Sequence, residues 1–425
     1  MNKENQKFEQ LVDSWVYAAI NNGVTSFNSL LTSLPGVYPS AALHSLKRLV
    51  SSGKISEHFF PIETLEKIKN GHKNKNSQLG NEGASLPIPH PLDYDWRFSD
   101  SSTKYLLHYC LELTKSNEKI ALLGTPGIFQ AAKEISFPRK TILLDNNTAI
   151  TNHFSKNISD ANVMLCDIVR DEIPDIEASA VVVDPPWYEK HLRGFMWAAA
   201  KICRLDGYIL FSLPPIGTRP GIESDLKRFL EWSKSLGLVL AKSEKGILPY
   251  TSPPFEINAL KAENFHNLNQ EWRRGDLAVF VKKKHTYPER PSVLADSEEK
   301  WLEETVQGVR IRIKPYETLE FKDPKLLTIV NNNIFPAVSR RDLRRRLVKV
   351  WTSGNRVFAC EGRFVFQEIL RELSSEHSVI TVLSEKLNRK LKKEEEIMVQ
   401  TSKEQILEII NIEREENYAF AYGNI

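Results

Sequence analysis

Residues 178–190 read ASAVVVDPPWYEK. Three valines running into an acid have the composition of a fully buried strand, and the two prolines after the acid stop it. The residues at the stop are chemically specific. Asp184 brings a carboxylate acceptor, Pro185 and Pro186 bring carbonyls without N–H groups, and Trp187 brings a flat aromatic face. Acceptors beside a stacking surface suit a planar substrate bearing an amino group. Such a grip would pin the nitrogen lone pair and favour loss of its proton as positive charge develops.

Outward from this strand, residues 93–284 alternate helices with short apolar runs. The runs KIALLG, KTILLD, ANVMLCD, ASAVVVD, GYILFSL, LVLAKSEKGIL and DLAVFVKKK are predicted strands. Helices are expected over 102–116, 128–135, 149–157, 194–204 and 224–236. This order predicts an α/β fold, a Rossmann-like doubly wound seven-stranded sheet whose ligands sit beyond the carboxyl ends of the strands. Three further strand ends carry suitable residues. Gly124-Thr125-Pro126-Gly127 follows the first strand, where glycines admit a ligand close to the backbone and a helix N-terminus offers free N–H groups. Asp145 ends the second strand, in the place of an acid that accepts ribose hydroxyls. Asp167 lies just past the third and could accept from an amine. Taken singly, each of these is equally a turn or cap residue.

Other segments frame this core. Residues 1–69 suggest three small helices and then a β-like piece, the order of a winged helix-turn-helix, with His44, Lys47 and Arg48 facing outward on the third helix. The formal charge is +3, and residues 1–80 carry nine Lys/Arg against six Asp/Glu, which accounts for all of it (9 − 6 = 3). Nucleic acid is the partner this suggests. Residues 70–92, rich in Asn, Gly, Ser, Lys and Pro, read as a linker. Residues 93–288 form the sheet domain and residues 289–425 a small α+β domain, in which SRRDLRRRLVKV gathers basic groups from Arg340 to Lys349 as a second candidate phosphate contact. The stretch 93–98 (DYDWRF) could form a lid, and Ser212, Thr218 and Arg219 lie in or beside a Pro/Gly-rich loop on the active edge. LPYTSPPFE reads as a second such loop. Four scattered cysteines form no CxxC, so no metal site or disulfide framework is expected and a reducing cytoplasm is the simplest setting. No run approaches the length of a membrane-spanning helix.

The VVVDPPW stretch resembles the catalytic motif of S-adenosylmethionine-dependent amino-group methyltransferases, and its tryptophan form is typical of N6-adenine methyltransferases. The resemblance covers about 102–284. It implies S-adenosylmethionine as cofactor, held by Gly124, Thr125, Gly127, Asp145 and Asp167, with Asp184, Pro185, Pro186 and Trp187 as the catalytic quartet. It further implies methylation of an exocyclic amine, adenine N6 in DNA or RNA, with a base flipped out of any duplex. The layout of winged helix, sheet and DPP motif is also similar to branched-chain polyamine synthases, which transfer an aminopropyl group. Those carry a Gly-Asp-Asp-Asp cluster where this chain has GTPG. The short glycine turn leaves a third reading, a nucleic-acid-binding protein with a decayed transferase domain.

Overall fold

A fully buried strand is apolar along its whole length, and the central strands here meet that condition: all six residues of the ASAVVV strand and the last four of KIALL are buried. In the computed structural model, which describes residues 3–56, 86–157, 162–286, 288–291, 300–336, 343–375 and 378–422, these strands form the middle of an eight-stranded sheet. Its strands are β1 (Arg97–Phe98), β2 (Lys119–Leu123), β3 (Lys140–Asp145), β4 (Val163–Leu165), β5 (Ala178–Val183), β6 (Cys203–Leu213), β7 (Leu238–Thr251) and β8 (Arg274–Lys282), in the spatial order β1-β7-β8-β6-β5-β2-β3-β4. Strands β4, β3, β2, β5 and β6 run parallel. β8 is antiparallel to both β6 and β7.

The seven predicted strands are present, and the sheet gains one more. β1 has only two residues, too short for any alternating pattern to register, and it exists because Arg97 and Phe98 pair with Thr251 and Tyr250. The direction of winding reverses at β2, whose neighbours are β3 on one side and β5 on the other, so a crevice opens beyond the carboxyl ends of β2 and β5.

The chain folds as two compact units, the first comprising residues 1–70, 96–252 and 267–294 and the second residues 71–95, 253–266 and 295–425. The first unit holds the large sheet and the helices α1 (Lys3–Asn21), α2 (Phe27–Ser33) and α3 (Pro39–Ser51). Ser26 caps α2 by accepting from the Ser29 N–H. The turn after α2 docks on the loop beyond β6: the Gly217 N–H donates to the Pro35 carbonyl at 2.8 Å, and a Cβ on Gly36 would meet Pro215 at 3.0 Å. On α3, His44 and Lys47 are exposed as expected. Arg48 is instead turned back onto α1, where it binds Asp13 at 2.7 Å. The rest of the predicted winged-helix segment, residues 57–69, and residues 70–85 of the predicted linker lie outside the described residues.

Between the strands of this unit run α4 (Asp100–Leu113), α5 (Pro126–Glu134), α6 (Thr148–Asn157), α7 (Glu189–Ile202) and α8 (Ile222–Ser233). Their apolar faces close over the sheet, with Leu192, Met196 and Phe229 in one buried cluster with Val181, Val183 and Phe211.

The second unit is built on an antiparallel sheet of β9 (Leu302–Val306), β10 (Val309–Ile313), β11 (Leu326–Thr328), β12 (Val350–Thr352) and β13 (Val357–Cys360), ordered β11-β13-β12-β10-β9. Its helices are α9 (Pro254–Ala262), α10 (Arg363–Ser374), α11 (Val379–Leu387) and α12 (Lys393–Tyr422). α9 begins inside the predicted LPYTSPPFE loop, because a proline at the first helical turn has no N–H to waste and a pre-set φ. In the arginine-rich stretch, Arg340 and Arg341 lie outside the described residues and Leu343–Leu347 form a short 3-10 turn. There Arg344 and Arg345 lie over the rings of Phe335 and Trp351. No described helix is long and apolar enough to cross a membrane.

Candidate active site

The parallel register sets four strand ends side by side. Leu123 of β2 is level with Val183 of β5 and Leu144 of β3, and Asp145 is level with Leu165 of β4. Asp184, Gly124, Asp145 and Asp167 therefore leave the sheet at neighbouring points along one edge. The central pair is tied by backbone: the Asp184 N–H donates to the Leu123 carbonyl at 3.3 Å and the Gly124 N–H to the Leu144 carbonyl at 3.0 Å. Gly124 has φ of +64°, and a Cβ there would stand 3.3 Å from the Asp184 carbonyl oxygen and 3.4 Å from the Phe195 ring. Glycine is thus demanded twice, by conformation and by the close approach of β5.

The glycine turn opens onto α5. A Cβ on Gly127 would meet nothing within 4 Å, so the first turn of this helix faces open space. Thr125 is buried, and its hydroxyl has no hydrogen-bond partner among the described residues. A buried hydroxyl without a partner is costly, and this one belongs to the residue that immediately precedes the first turn of α5. Asp145 is also buried and accepts from the Asn147 N–H at 2.8 Å, while Asn147 accepts from the Ala149 N–H and so caps α6. Asp167 lies in the turn after β4, where it accepts from the Val169 N–H at 2.9 Å and faces Arg170. An orphaned hydroxyl, an uncovered helix start and a following acid together fit an adenosyl ligand.

At Asp184 the surroundings differ in kind. Tyr250, near the end of β7, donates its phenol to the Asp184 carboxylate at 2.6 Å. Since its single hydrogen is used there, the Ser212 hydroxyl donates to the Tyr250 oxygen, also at 2.6 Å. Burial, reinforced by the Asp184 charge, pushes the Tyr250 phenol well above the ordinary tyrosine value, so it stays a donor at physiological pH. Tyr250 reaches across β8 because Gly275 lies in the way without a side chain. A Cβ there would come within 3.0 Å of Ser212 Oγ, 3.2 Å of the Tyr250 ring and 3.3 Å of Trp187.

Trp187 packs edge-to-face on Tyr250 at 5.6 Å. The Pro186 carbonyl accepts from the Tyr188 N–H within the turn, and α7 begins immediately after. Trp187 also carries the Arg273 guanidinium over its ring, at 4.4 Å.

Of the remaining candidates, Ser212 joins the Asp184 network, whereas Thr218 donates to the Pro215 carbonyl and Arg219 pairs with Asp225 at 2.5 Å. The 93–98 cluster divides between the units. Phe98 packs against Tyr250 in the first, and Asp93 is buried against Arg310 and Arg312 in the second. Tyr250, Arg273 and Gly275 were not singled out from sequence. Tyr250 lies near the end of β7 and Gly275 near the start of β8, each separated from β5 by at least one other strand, and no local spacing links them to Asp184.

Residues 95–211 match the family model described as "Probable N6-adenine methyltransferase". No curated protein matches the chain. Among solved structures the chain is similar to the C9 mutein of the branched-chain polyamine synthase from Thermus thermophilus in complex with N4-aminopropylspermidine and 5'-methylthioadenosine. That similarity has a TM-score of 0.50 and 12% identity, over 71% of this chain and 98% of that one. The branched-chain polyamine synthase from the same organism gives a TM-score of 0.48 at 13% identity, over 67% and 91% of the two chains. The 16S rRNA N2 G1207 methyltransferase of T. thermophilus, in complex with AdoMet and guanosine, gives 0.29 at 15%, over 53% and 51%. At such identity the first of these likenesses is one of fold alone. The segment that carries the glycine turn, both acids and the quartet is thus recognised as N6-adenine methyltransferase-like, on a fold shared with a polyamine synthase.

Proposed function

We propose that this protein is an S-adenosylmethionine-dependent methyltransferase acting on an exocyclic amino group, that of adenine N6 in DNA or RNA. The observation that carries the proposal is Asp184, whose carboxylate is held by the buried Tyr250 phenol and whose backbone carbonyl lies against the Gly124 turn. S-adenosylmethionine, when bound, supplies an electrophilic methyl group on a sulfonium. Gly124, Thr125 and Gly127 would line its path past the start of α5, Asp145 would take the ribose hydroxyls and Asp167 the adenine amine.

On the acceptor side, Asp184 accepts one hydrogen of the target amine and the Pro185 carbonyl the other, since the Pro186 carbonyl is used within the turn. Those two acceptors aim the nitrogen lone pair and stabilise the positive charge that grows on it, and the proton then passes to Asp184 or to water. Tyr250 fixes the carboxylate and, remaining protonated, adds a dipole without adding charge. His44 and Lys47 on α3 are the exposed basic groups that would meet a nucleic acid backbone, with Arg344 to Arg346 as a second set. The test is transfer of labelled methyl from S-adenosylmethionine to adenine-containing DNA and RNA by wild type and Asp184→Asn. No transfer to any adenine-containing polymer would sink the substrate assignment.

Aminopropyl transfer is the second reading, favoured by a fold that extends over 98% of the polyamine synthase chain. Preference for decarboxylated S-adenosylmethionine in a binding titration would put it first. Binding of neither form would favour the nucleic-acid-binding protein without transferase activity.

A further inference from the structure

Arg290 lies in the segment 288–291, past the end of β8, and its guanidinium reaches the turn after β4 that carries Asp167. Its Nη1 donates to the Arg170 and Asp171 carbonyls at 3.0 and 2.7 Å, and its Nη2 to the Ile168 carbonyl at 2.7 Å. The turn itself is closed at its start. The Asp167 carbonyl accepts from the Arg170 and Asp171 N–H groups at 2.9 and 2.8 Å, and the Asp171 carboxylate accepts from the Asp167 N–H at 2.7 Å. A lone turn fixes several dihedrals for little hydrogen bonding, and its later carbonyls find no partner within it. Arg290 supplies that partner. The guanidinium is held in turn by α7: it stands 5.1 Å from the Trp197 ring centroid, and the Trp197 indole N–H donates to the Pro288 carbonyl at 2.9 Å. Gly194, one helical turn earlier on α7, lies against the same turn, since a Cβ there would stand 3.3 Å from the Val169 side chain.

We propose that Arg290 is a positioning residue of the cofactor site: by clamping the Asp167 turn to α7 it fixes the carboxylate that meets the adenine amine, and so makes the site select an adenine-bearing cofactor. This rests on the reading of Asp167 as the adenine contact. The bond from the Val169 N–H orients Asp167 only within its own turn. The clamp decides where that turn stands. Its reference is α7, which begins directly after the Asp184–Trp187 quartet, so one helix registers both the adenine end of the donor and the grip on the acceptor. In-line transfer needs that registration, because a small displacement of either partner takes the methyl off the line of attack. A guanidinium suits the task, since its planar fork of donors can hold three carbonyls in one geometry, whereas an ammonium is a point charge on a flexible stem.

The experiment is calorimetric binding of S-adenosylhomocysteine and of S-inosylhomocysteine, which carries an oxygen in place of the adenine amine, to the full-length protein. Wild type is expected to prefer the adenosyl form by at least about tenfold, the worth of a hydrogen bond to a carboxylate. Asp167→Ala should abolish that preference, and Arg290→Gln should bring it within about threefold while changing affinity for the inosyl form far less. In the double variant the second substitution should add less than about twofold, because both act on one contact. If Arg290→Gln does not fold, Arg290→Lys keeps the charge without the fork and should lower the preference at least about threefold. An unchanged preference in whichever Arg290 variant folds overturns the inference, and so does an equal loss of affinity for both forms, which marks a merely structural anchor. Wild type that binds both forms equally overturns it too, and leaves the methyltransferase reading standing. Binding of neither form by wild type would remove that reading and this inference together.

Discussion

Three acids stand at neighbouring strand ends on one sheet edge, yet they are held in two different ways. Asp145 and Asp167 each accept a backbone N–H two residues ahead, from Asn147 and Val169, so the geometry of each is local. Asp184 is followed by two prolines, and Pro185 and Pro186 have no N–H to give. Its carboxylate is therefore fixed from elsewhere, by a phenol 66 residues away that is itself held by Ser212. The contrast teaches that an acid with a local donor is oriented wherever its turn forms, while an acid in a proline turn is oriented only once the whole sheet has assembled. The second unit shows a further arrangement: Asp93 is buried between Arg310 and Arg312, which hold its carboxyl below the ordinary range although burial alone would raise it.

The comparison can be broken at each acid. The largest effect is expected at the proline turn: Asp184→Asn should lower methyl transfer by about 10²–10⁴-fold with cofactor binding unchanged, read by single-turnover transfer beside calorimetry. Asp93→Asn should do the reverse, costing about 3–5 kcal/mol of stability because it breaks a buried ion pair. Chemical denaturation measures that cost, and a variant as stable as wild type would show that the arginines do not depend on this carboxylate.

Tyr250→Phe tests the long-range hold. Loss of a hydrogen bond to a carboxylate, about 1.5–3 kcal/mol, predicts roughly a ten- to hundredfold fall in transfer. It also predicts a pH signature. The phenol pKa is raised in the folded protein, so its contribution to stability is intact below about pH 10, where the unfolded chain begins to release the proton, and is lost above it. Unfolding free energy should therefore decline more steeply above about pH 10 in wild type than in Tyr250→Phe, and parallel curves would rule the mechanism out. Asp145→Asn keeps an oxygen for the Asn147 N–H and so tests charge without disturbing the turn. About a tenfold loss in S-adenosylmethionine affinity is expected, with unchanged stability.

The smallest change is Thr125→Val. Removing a buried hydroxyl that has no partner among the described residues should stabilise the protein by about 1 kcal/mol while weakening cofactor binding. Destabilisation would mean that the hydroxyl has a partner in solution.

Much of the first unit was legible in the sequence because its signals are local. Buried parallel strands are continuous apolar runs, and the acids and glycines that end them fall where the strand stops, so β2 to β8 and the positions of Gly124, Asp145, Asp167 and Asp184 followed from composition and order alone. The partners of those residues were not legible. Nothing in YTSPPF marks Tyr250 as the donor to Asp184, and nothing in RRGDL marks Gly275 as the gap through which it reaches or Arg273 as the cation on Trp187. β1 likewise owes its two residues to pairing with β7. Period and composition report what a residue does to its own backbone and to its neighbours in sequence. Which side chain fills the space beyond a strand end depends on sheet order and register, and those are decided only when distant strands are brought together.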